Sequence, residues 1–416
     1  MKIILMSVGT RGDMEPFLAL ADIFTNKGHQ VICAFPEQFR DLAETSGFEF
    51  ASLGTKLIEL LDSPDGRAAM GAGGSGWKKF TATLRLAVNQ GEANKELAHA
   101  QYELIERENP DKIVYNGKAV YPVLWGLKNE GKTVFVSPIP YMHYVEGHTH
   151  IGFNTNLGTF LNKLTFALAN FGMVTTTMVA KKWLKIKDKV SRKAIREFLK
   201  TNKSVYTISP ALFPRPEHWH EDLQVLGYHE RDKTVDWQPD EKLQTFLDRH
   251  SRILFVTFGS MLNTAPEEKT KAILDILSRH QIPAIINTAS GGLVEPENYD
   301  REMLHFVNRI PYDWVFPKMH AVIHHGGSGT THMALKSGCA TMVIPHIIDQ
   351  FAWNGIVHEL GAGPKGDKVG KLTVDNLEPK ILDLWNNEDY KVKTEAIGRQ
   401  MRKEDFREEI YRFVIK

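Results

Sequence analysis

The stretch KIILMSVGTRGD, residues 2–13, decides the fold of this chain. Its apolar run ends in a glycine and a hydroxyl-bearing residue, and a helical pattern follows from Pro16 to Lys27. The stretch SRILFVTFGSM, residues 251–261, repeats this order before a second helical pattern. A buried strand, a glycine-containing turn and a helix are the opening unit of a parallel α/β sheet. The repetition predicts two such sheets in one chain.

Strand-like and helical patterns alternate through both halves. Near-continuous apolar strands are typical of parallel sheets that helices cover on both faces, and the alternation indicates Rossmann-like domains. We expect an N-terminal domain over 1–215 and a C-terminal domain over 241–395. A segment rich in Pro, Trp and charge, 216–240, is expected to link them, and a helix within 396–416 to pack back on the first domain. The predicted strands are QVICAFP, KIVYN, KTVFVSP and SVYTISP in the first half, and ILFVTF, PAIINT, HAVIHH and ATMVIP in the second.

The composition of the 416 residues is that of an ordinary globular protein, with 42% hydrophobic and 24% charged residues. The formal net charge of +1 gives no indication of nucleic acid binding. Cys33 and Cys339 each lie in an apolar segment, and we expect both to be reduced and buried. No signal-peptide pattern and no run of 18 apolar residues occurs, which predicts a cytoplasmic protein without a membrane-spanning helix.

The stretch VIHHGGSGTTH, residues 322–332, places a glycine-rich turn between a predicted strand and a predicted helix. Unpaired N–H groups and the helix dipole favour anions there, and glycines let a diphosphate approach the backbone. The hydroxyls of Ser328, Thr330 and Thr331 and a histidine at the end of the strand can add donors. The alternative is a tight turn whose histidines serve the fold alone.

The next strand–helix unit, ATMVIPHIIDQFAW at 340–353, ends its strand at the same edge of the sheet. Asp349 and Gln350 can together accept from and donate to sugar hydroxyls; the alternative is that they cap the following helix. Upstream, Trp314 can stack on a nucleotide base, or lie in the core. With the glycine-rich turn nearby, these residues favour a nucleotide-sugar site.

In combination these motifs resemble those of the family 1 glycosyltransferases of the GT-B fold. The similarity is greatest to the branch of sterol glucosyltransferases and of enzymes that glycosylate antibiotics and other natural products. The motifs span the chain in the family's order, and they are GTRGDMEPFLALA, TFGSM, PYDWVFP, HHGGSGTT and PHIIDQFAWNG. The plant signature has Trp where this chain has Gly327, so no plant-type donor preference is carried over.

The resemblance implies two Rossmann-like domains that face a central cleft, and inverting transfer of a sugar from a UDP-sugar to an acceptor hydroxyl. Glucose is the expected sugar, and the choice between UDP and dTDP stays open. No Asp-x-Asp motif occurs, so we expect neither a metal nor another cofactor. The aromatic loop PIPYMHYVEGHTHIGFN, 138–154, favours a small apolar acceptor with rings, such as a sterol, terpenoid, polyketide or flavonoid.

The resemblance also implies roles for single residues. Asp13 would be the catalytic base, with capping of the first helix as its alternative, and Arg11 would orient it or approach the diphosphate. Trp314 and Val315 would contact the base of the nucleotide, and Asp349 and Gln350 the sugar. The role of His325 stays open. The donor's diphosphate region would involve Thr10, Arg11, Ser260, His324, Gly327, Ser328, Gly329 and Thr330, and the acceptor Met142, His143 and Tyr144.

Two stretches carry a second interpretation. A zinc site of His143, His148 and His150 is disfavoured, since no cysteine supports it. From 181 to 203 there are ten Lys or Arg against two acidic residues, and the apolar residues of this segment recur at roughly helical spacing. A solvated helix face is expected there; the alternative is a peripheral contact of this basic helix with the inner face of an anionic membrane.

Other functions remain on the same fold. A sugar-nucleotide epimerase and a phosphorylase are alternatives that the GTRGD loop and the long aromatic loop disfavour. A non-catalytic nucleotide-sugar-binding partner protein is a further alternative, disfavoured by Asp13, the glycine-rich turn and Asp349 with Gln350. A Rossmann dehydrogenase would need the spacing G-x-G-x-x-G, which GTRGDM lacks.

Overall fold

The computed structural model describes residues 1–56, 59, 76–153, 156–231, 237–259, 261, 263, 265–289 and 291–416. Contacts divide the chain into two compact units, Met1–Asp232 with Asp405–Lys416, and Lys233–Glu404. Each unit contains a parallel sheet, with seven strands in the first and five in the second. The predicted fold class, two parallel-sheet α/β domains, is confirmed.

The sheet of the first unit has the order β3-β2-β1-β4-β5-β6-β7. Its central strand is buried on both faces, because Ile3 and Leu5 pack into one core while Ile4 and Met6 pack into the other. This explains why the opening run is apolar without alternation. The strands are β1 Lys2–Met6, β2 Gln30–Phe35, β3 Glu49–Ser52, β4 Lys112–Tyr115, β5 Thr133–Ser137, β6 Ser204–Tyr206 and β7 Leu223–Val225.

Helices cover both faces of this sheet, and the end of the chain supplies one of them. Ile410 and Val414 of that last helix are buried in the same core as Phe24, and Lys27 pairs with Glu408 at 2.8 Å. The helices of the first unit are α1 Arg11–Asn26, α2 Arg40–Glu44, α3 Gly76–Glu108, α4 Tyr121–Gly126, α5 Thr159–Trp183, α6 Arg192–Thr201 and α14 Arg407–Ile415.

The sheet of the second unit has the order β10-β9-β8-β11-β12, so the strand before the glycine-rich turn lies between β8 and β12. Its strands are β8 Leu254–Thr257, β9 Ala284–Asn287, β10 Leu304–Val307, β11 Ala321–His324 and β12 Ala340–Val343. Its helices are α7 Glu241–Arg249, α8 Pro266–Arg279, α9 Tyr312–Val315, α10 Ser328–Lys336, α11 Ile348–Glu359, α12 Val374–Asn386 and α13 Glu388–Met401.

The predicted linker at 216–240 is wrong in its first part. Strand β7 lies inside it and completes the first sheet, and Arg215 donates hydrogen bonds to the carbonyl oxygens of Leu223 and His220, both at 2.8 Å. The apolar positions of β7 are few and stand among Pro, Trp and charged residues, so no strand pattern could be read there. At the other end, 396–404 belongs to the second unit and only Asp405–Lys416 returns to the first.

The predicted basic helix at 181–203 is two helices. Helix α5 ends at Trp183, and Lys185 then takes a positive φ of 52°, which breaks the helical path. Ser191 caps the start of α6 by accepting the N–H of Ala194 at 3.0 Å. Among the described residues, no helix has both the length and the apolar character that crossing a bilayer demands. Cys33 and Cys339 are buried free thiols, as expected.

Candidate functional site

Asp13 lies in the first turn of α1, directly after β1, and its carboxylate is held from two sides. The backbone N–H of Thr10 donates to Oδ2 at 2.7 Å, while the ammonium of Lys118 lies 3.4 Å from Oδ1. Thr10 is the N-cap residue of the helix, so Asp13 does cap α1, the alternative that the sequence left open. One carboxylate oxygen serves the cap, and the other lies toward Lys118.

Gly9 is where the backbone makes room for this pair. Its φ is +142°, and a Cβ there would lie 2.1 Å from Oδ2 of Asp13 and 2.6 Å from Nζ of Lys118. Both distances are far below van der Waals contact. The carboxylate and the ammonium therefore lie directly over the turn between β1 and α1, and a side chain at this position would displace them.

Sequence reasoning missed Lys118. It follows β4, which pairs with β1 in parallel register, so both strands end at the same edge of the sheet. Asn116 joins the two turns by donating to Ser7 Oγ at 3.0 Å and to the carbonyl oxygen of Val8 at 2.9 Å. The predicted strand KIVYN, 112–116, is followed by Gly117 and Lys118, so the sequence did indicate a lysine just after this strand. Only the strand order shows that β4 lies next to β1.

Arg11 does not orient Asp13 as the sequence suggested. Its Nε lies 3.0 Å from Oε1 of Glu15 on the same helix, and Glu15 also binds Arg231 at 2.8 Å. The i, i+4 spacing on a helix favours this pair over a contact with the residue two positions away. Lys118 is the cation beside Asp13.

The aromatic loop places Met142 next to this edge. The Met142 methyl group lies 3.5 Å from the position that a Cβ of Gly117 would occupy, one residue from Lys118. His143 is turned into an aromatic cluster, where its Nδ1 lies 2.8 Å from the hydroxyl of Tyr206, and burial lowers its pKa to about 4. The carbonyl of Tyr144 accepts the indole N–H of Trp219 at 2.8 Å. Met142 thus lies beside the turn that carries Lys118, while His143 and Tyr144 anchor the loop through their hydrogen bonds.

The disfavoured zinc site has no support in the geometry. His143 contacts Tyr206, His148 stacks on Tyr141 with ring centroids 4.4 Å apart, and Nδ1 of His150 accepts the N–H of Gly152 at 3.2 Å. Within the described ranges, no three side chains of His, Cys, Asp or Glu are grouped so that they could hold a metal ion.

In the second unit, the glycine-rich turn joins the end of β11 to α10, with Gly327 as the N-cap residue. Gly326 has a φ of +95°, and a Cβ there would lie 2.6 Å from Cγ1 of Val343 and 3.1 Å from Cβ of Gln350. The turn thus packs on the end of β12 and the start of α11. The two strand–helix units that the sequence singled out are in direct contact.

His324 is fully buried at the end of β11. Its Nδ1 accepts the N–H of Gly326 at 3.0 Å, so the ring hydrogen is on Nε2, which has no hydrogen-bond partner among the described residues. Burial lowers the pKa of His324 to about 3. The residue is therefore a neutral imidazole with an unused N–H.

His325, whose role the sequence left open, lies between two glycine turns. A Cβ of Gly327 would lie 2.6 Å from its Nε2, and a Cβ of Gly259 would lie 2.8 Å from its Cε1. Burial, with His324 and His346 nearby, lowers the pKa of His325 well below its usual value. Glycine at both flanking positions leaves the space that this ring fills.

His346 is a third histidine at this edge, and sequence reasoning passed over it. Its Nδ1 donates to the carbonyl oxygen of Ile344 at 2.9 Å, which leaves Nε2 as a buried acceptor without a partner in the described chain. Its ring centroid lies 6.5 Å from that of His325, and burial lowers its pKa to about 4. The motif PHIIDQ, at the end of a strand next to β11, was the available signal.

Gln350 caps α11, which was the alternative to sugar binding. Its Oε1 accepts the N–H groups of His346 at 2.7 Å and Ile347 at 3.1 Å, and the residue is buried. Asp349 lies half-buried in the first turn of the same helix. The amide oxygen is thus committed to the cap, and Asp349 keeps the more accessible position.

The remaining donor candidates differ in exposure. Val315 is fully buried, whereas Trp314 is half-buried, with Trp237 at 4.6 Å between ring centroids and the Lys318 ammonium 3.9 Å over its ring. Ser260 lies outside the described residues. The residues 327–330 are half-buried in the turn and first turn of α10, while Thr331 is buried and its hydroxyl donates to the carbonyl oxygen of Gly327.

Two family models match the chain. The Glycosyltransferase family 28 N-terminal domain matches residues 3–106, and the Erythromycin biosynthesis protein CIII-like C-terminal domain matches residues 299–415. The chain is thus similar to glycosyltransferase domains in both of its halves. The resemblance seen in the sequence is thereby confirmed, and both matches fall on the strand–turn–helix units described above.

Sterol 3-beta-glucosyltransferases are similar to this GT-B chain along almost all its length. UGT80A2 of Arabidopsis thaliana is 26% identical over 438 residues, which cover 97% of this chain and 64% of the relative. The enzyme of Yarrowia lipolytica is 25% identical over 96% of this chain and 28% of its own length. The chain thus spans less than two thirds of these relatives.

Solved structures share the fold. The calicheamicin glycosyltransferase CalG4 superposes with a TM-score of 0.70 at 16% identity, over 100% of this chain and 98% of that one. The glycosyltransferase VinC in complex with DTDP superposes with a TM-score of 0.65 at 15% identity, over 100% and 99% of the two chains.

Proposed function

We propose that this chain transfers a sugar, with glucose expected, from a UDP-sugar to a hydroxyl group of an apolar acceptor with fused or linked rings, such as a sterol. The observation that carries the proposal is the placement of the Asp13 carboxylate, which the N–H of Thr10 and the Lys118 ammonium hold at the edge of the first sheet. Met142 of the aromatic loop lies next to the same edge. The sterol class is supported by the names of the relatives, which match over almost the whole chain.

In the proposed reaction Asp13 accepts the proton of the acceptor hydroxyl as its oxygen attacks the anomeric carbon. The bond from that carbon to the diphosphate oxygen breaks, and the nucleoside diphosphate leaves with the electron pair. A single displacement of this kind inverts the anomeric configuration. Only one carboxylate is needed, and no enzyme nucleophile takes part.

We propose that neutral donors, without a metal ion, stabilise the leaving diphosphate. The N–H groups at the start of α10 have no partner within the helix and carry its positive dipole end. The buried N–H of His324 has no other partner in the described chain. The low pKa values of His324 and His346 keep both rings uncharged at neutral pH, so dipoles rather than imidazolium charges would act on the diphosphate.

The nucleotide of the donor is a choice between UDP and dTDP. Relatives that match almost the whole chain are named sterol 3-beta-glucosyltransferases, and VinC was solved with DTDP. Trp314 is the proposed contact for the base, with Lys318 over one face of its ring. We place UDP first, because the similarity to the sterol enzymes is the greater in sequence.

The test is an assay of the purified chain with UDP-glucose, dTDP-glucose and other nucleotide sugars. Sterols, flavonoids and simple alcohols serve as acceptors, with and without EDTA, and mass spectrometry detects products. We expect glucosylated sterol, unaffected by EDTA, with the β-anomer from an α-linked donor by proton NMR. An epimerised donor or sugar phosphate, without acceptor product, would contradict the proposal. Donor binding with no turnover on any acceptor would indicate a non-catalytic protein.

A further inference from the structure

Helix α5 carries its apolar residues on the outside. Phe160, Leu161, Leu164, Leu168 and Phe171, here called the apolar stripe, follow each other at helical spacing and are all exposed. Phe160 is 82% exposed and Phe171 57%. A surface helix of a globular protein normally buries such a face, so this helix leaves a continuous apolar surface in contact with water.

The inner face of α5 is mixed: Phe166, Val174 and Ala180 are buried there beside hydrogen-bonded polar side chains. The Asn162 side chain donates to the carbonyl oxygen of Gly147 at 3.1 Å and accepts the N–H of Leu157 at 2.9 Å. Thr165 accepts the N–H of His150 at 2.8 Å. These buried contacts fix which face looks outward, because breaking them would leave polar groups unpaired in the interior.

The surroundings of the stripe are positively charged. No acidic residue occurs between Gly147 and Lys187, although the whole chain has a net charge of only +1. Helix α6 packs beside α5, and its Arg192 donates to the hydroxyl of Thr175 at 3.3 Å, which brings the basic segment to the side of α5. The exposed cations of this region are Lys163, Lys182, Lys185, Lys187, Lys189, Arg192, Lys193 and Arg196.

We propose that the apolar stripe docks into the surface of an anionic lipid bilayer while the cations of 181–196 contact its headgroups. An apolar helix face flanked by Lys and Arg is the pattern that binds anionic interfaces. A second copy of the chain fits less well, since apposing this face with itself would bring the same cations together. In this proposal the apolar stripe of α5 inserts into the bilayer, while the basic segment 181–196 contributes only electrostatic attraction to the anionic headgroups.

The inference does not rest on sugar transfer, and its test uses binding alone. The full chain is sedimented with vesicles of phosphatidylcholine, with or without phosphatidylserine, at low and high salt. We expect binding to the anionic vesicles that weakens at high salt, and a loss of roughly 10-fold or more in the Phe160→Ser/Phe171→Ser variant. The matched control is Val392→Ser, 65% exposed on α13, which should change binding less than about 2-fold.

A second readout reports insertion directly. Cys33 and Cys339 are buried, so Leu164→Cys supplies an accessible thiol for an environment-sensitive fluorophore. Its emission should shift to the blue with anionic vesicles and stay unchanged without them. No sedimentation with anionic vesicles at low salt would overturn the proposal. So would a concentration-dependent dimer, seen by light scattering, that Phe160→Ser/Phe171→Ser dissolves while vesicle binding is absent.

Discussion

At the scale of single residues, the geometry of Asp13 accommodates both the helix cap and the proposed role as base, which the sequence analysis had treated as alternatives. Its Oδ2 caps α1 through the N–H of Thr10, and its Oδ1 lies toward Lys118. The cap fixes the carboxylate at the end of β1, and such fixed placement is what a general base needs. Capping is compatible with the proposed proton transfer, because the cap uses Oδ2 and leaves Oδ1 outside it.

Replacing Asp13 separates the two tasks. Asp13→Asn keeps an oxygen that can accept the N–H of Thr10, whereas Asp13→Ala loses the cap at a cost of about 1 kcal/mol. Both should lower transfer by roughly 100- to 10,000-fold, because the proton acceptor is gone. Donor affinity, measured by calorimetry, should stay within about 2-fold. Near wild-type turnover of both variants with a poorly acidic alcohol would show that Asp13 is not the base.

Lys118 is expected to position Asp13. Lys118→Met should lower kcat by about 10-fold with little change in the KM for the donor, because a misplaced catalytic group loses rate rather than donor binding. Lys118→Arg should restore much of the loss. The control is Lys128→Met: Lys128 also pairs with an aspartate, Asp188, and both lysines are 54% exposed. Equal effects of the two Met variants would refute a positioning role.

At the scale of elements, the donor region is built from two adjacent strand–turn–helix units. β11 and β12 pair in register, so His324 and Val343 are partners where the strands end. Gly326 then brings the backbone of one turn against Gln350 in the next helix. The contact explains why the glycine is needed: it allows both a positive φ and a close approach.

Gly326→Ala tests this contact. The new Cβ would meet Val343 and Gln350 at a φ of +95°, so we expect a clear fall in the thermal midpoint and donor affinity weakened by more than roughly 10-fold. Gly28→Ala is the control, because Gly28 also has a positive φ, +82°, but no atom within 4 Å of its added Cβ. It should show only the backbone cost, about 1 kcal/mol. Equal losses in both variants would mean that the close approach is unimportant.

At the scale of the whole molecule, each unit buries histidines as neutral rings. Burial lowers the pKa of His143, His150, His332 and His346 to about 4 and that of His324 to about 3. Unfolding would expose these rings and return their pKa to about 6.5. Below pH 6.5 the unfolded chain therefore binds protons that the folded chain does not. The free energy of unfolding then decreases as the pH is lowered, until the pH reaches the pKa values of the folded chain.

His332 allows a test of this linkage. It is fully buried, donates from Nδ1 to the carbonyl oxygen of Ser328 at 2.7 Å, and packs on Trp353. His332→Leu removes the titrating ring. Between pH 7.5 and 5.0 the free energy of unfolding of this variant should therefore fall by about 2 kcal/mol less than that of the native chain. Urea denaturation at the two pH values measures it. His358→Leu, at an exposed position, is the control and should keep the native pH dependence.

The sequence by itself determined the two parallel sheets, because apolar periodicity and the strand–glycine–helix order are local properties of the chain. The same locality let it identify Asp13 and the glycine-rich turn. Strand β7 escaped it: β6 is equally short but lies in the predicted segment SVYTISP, whereas LQV of β7 stands among Pro, Trp and charged residues. The contacts of the last helix are tertiary: its apolar face could fit either core, and Ile410 and Val414 are buried in the core that holds Phe24.

Only the tertiary structure decided which side chains meet. Lys118 is 105 residues from Asp13 and reaches it because β4 lies next to β1, a strand order that no local pattern contains. His346 joins His325 in the same way, through the pairing of β12 with β11. The outward face of α5 is likewise a tertiary outcome. The buried hydrogen bonds of Asn162 and Thr165, made with the distant loop residues Gly147 and His150, help to determine which face of the helix lies inside.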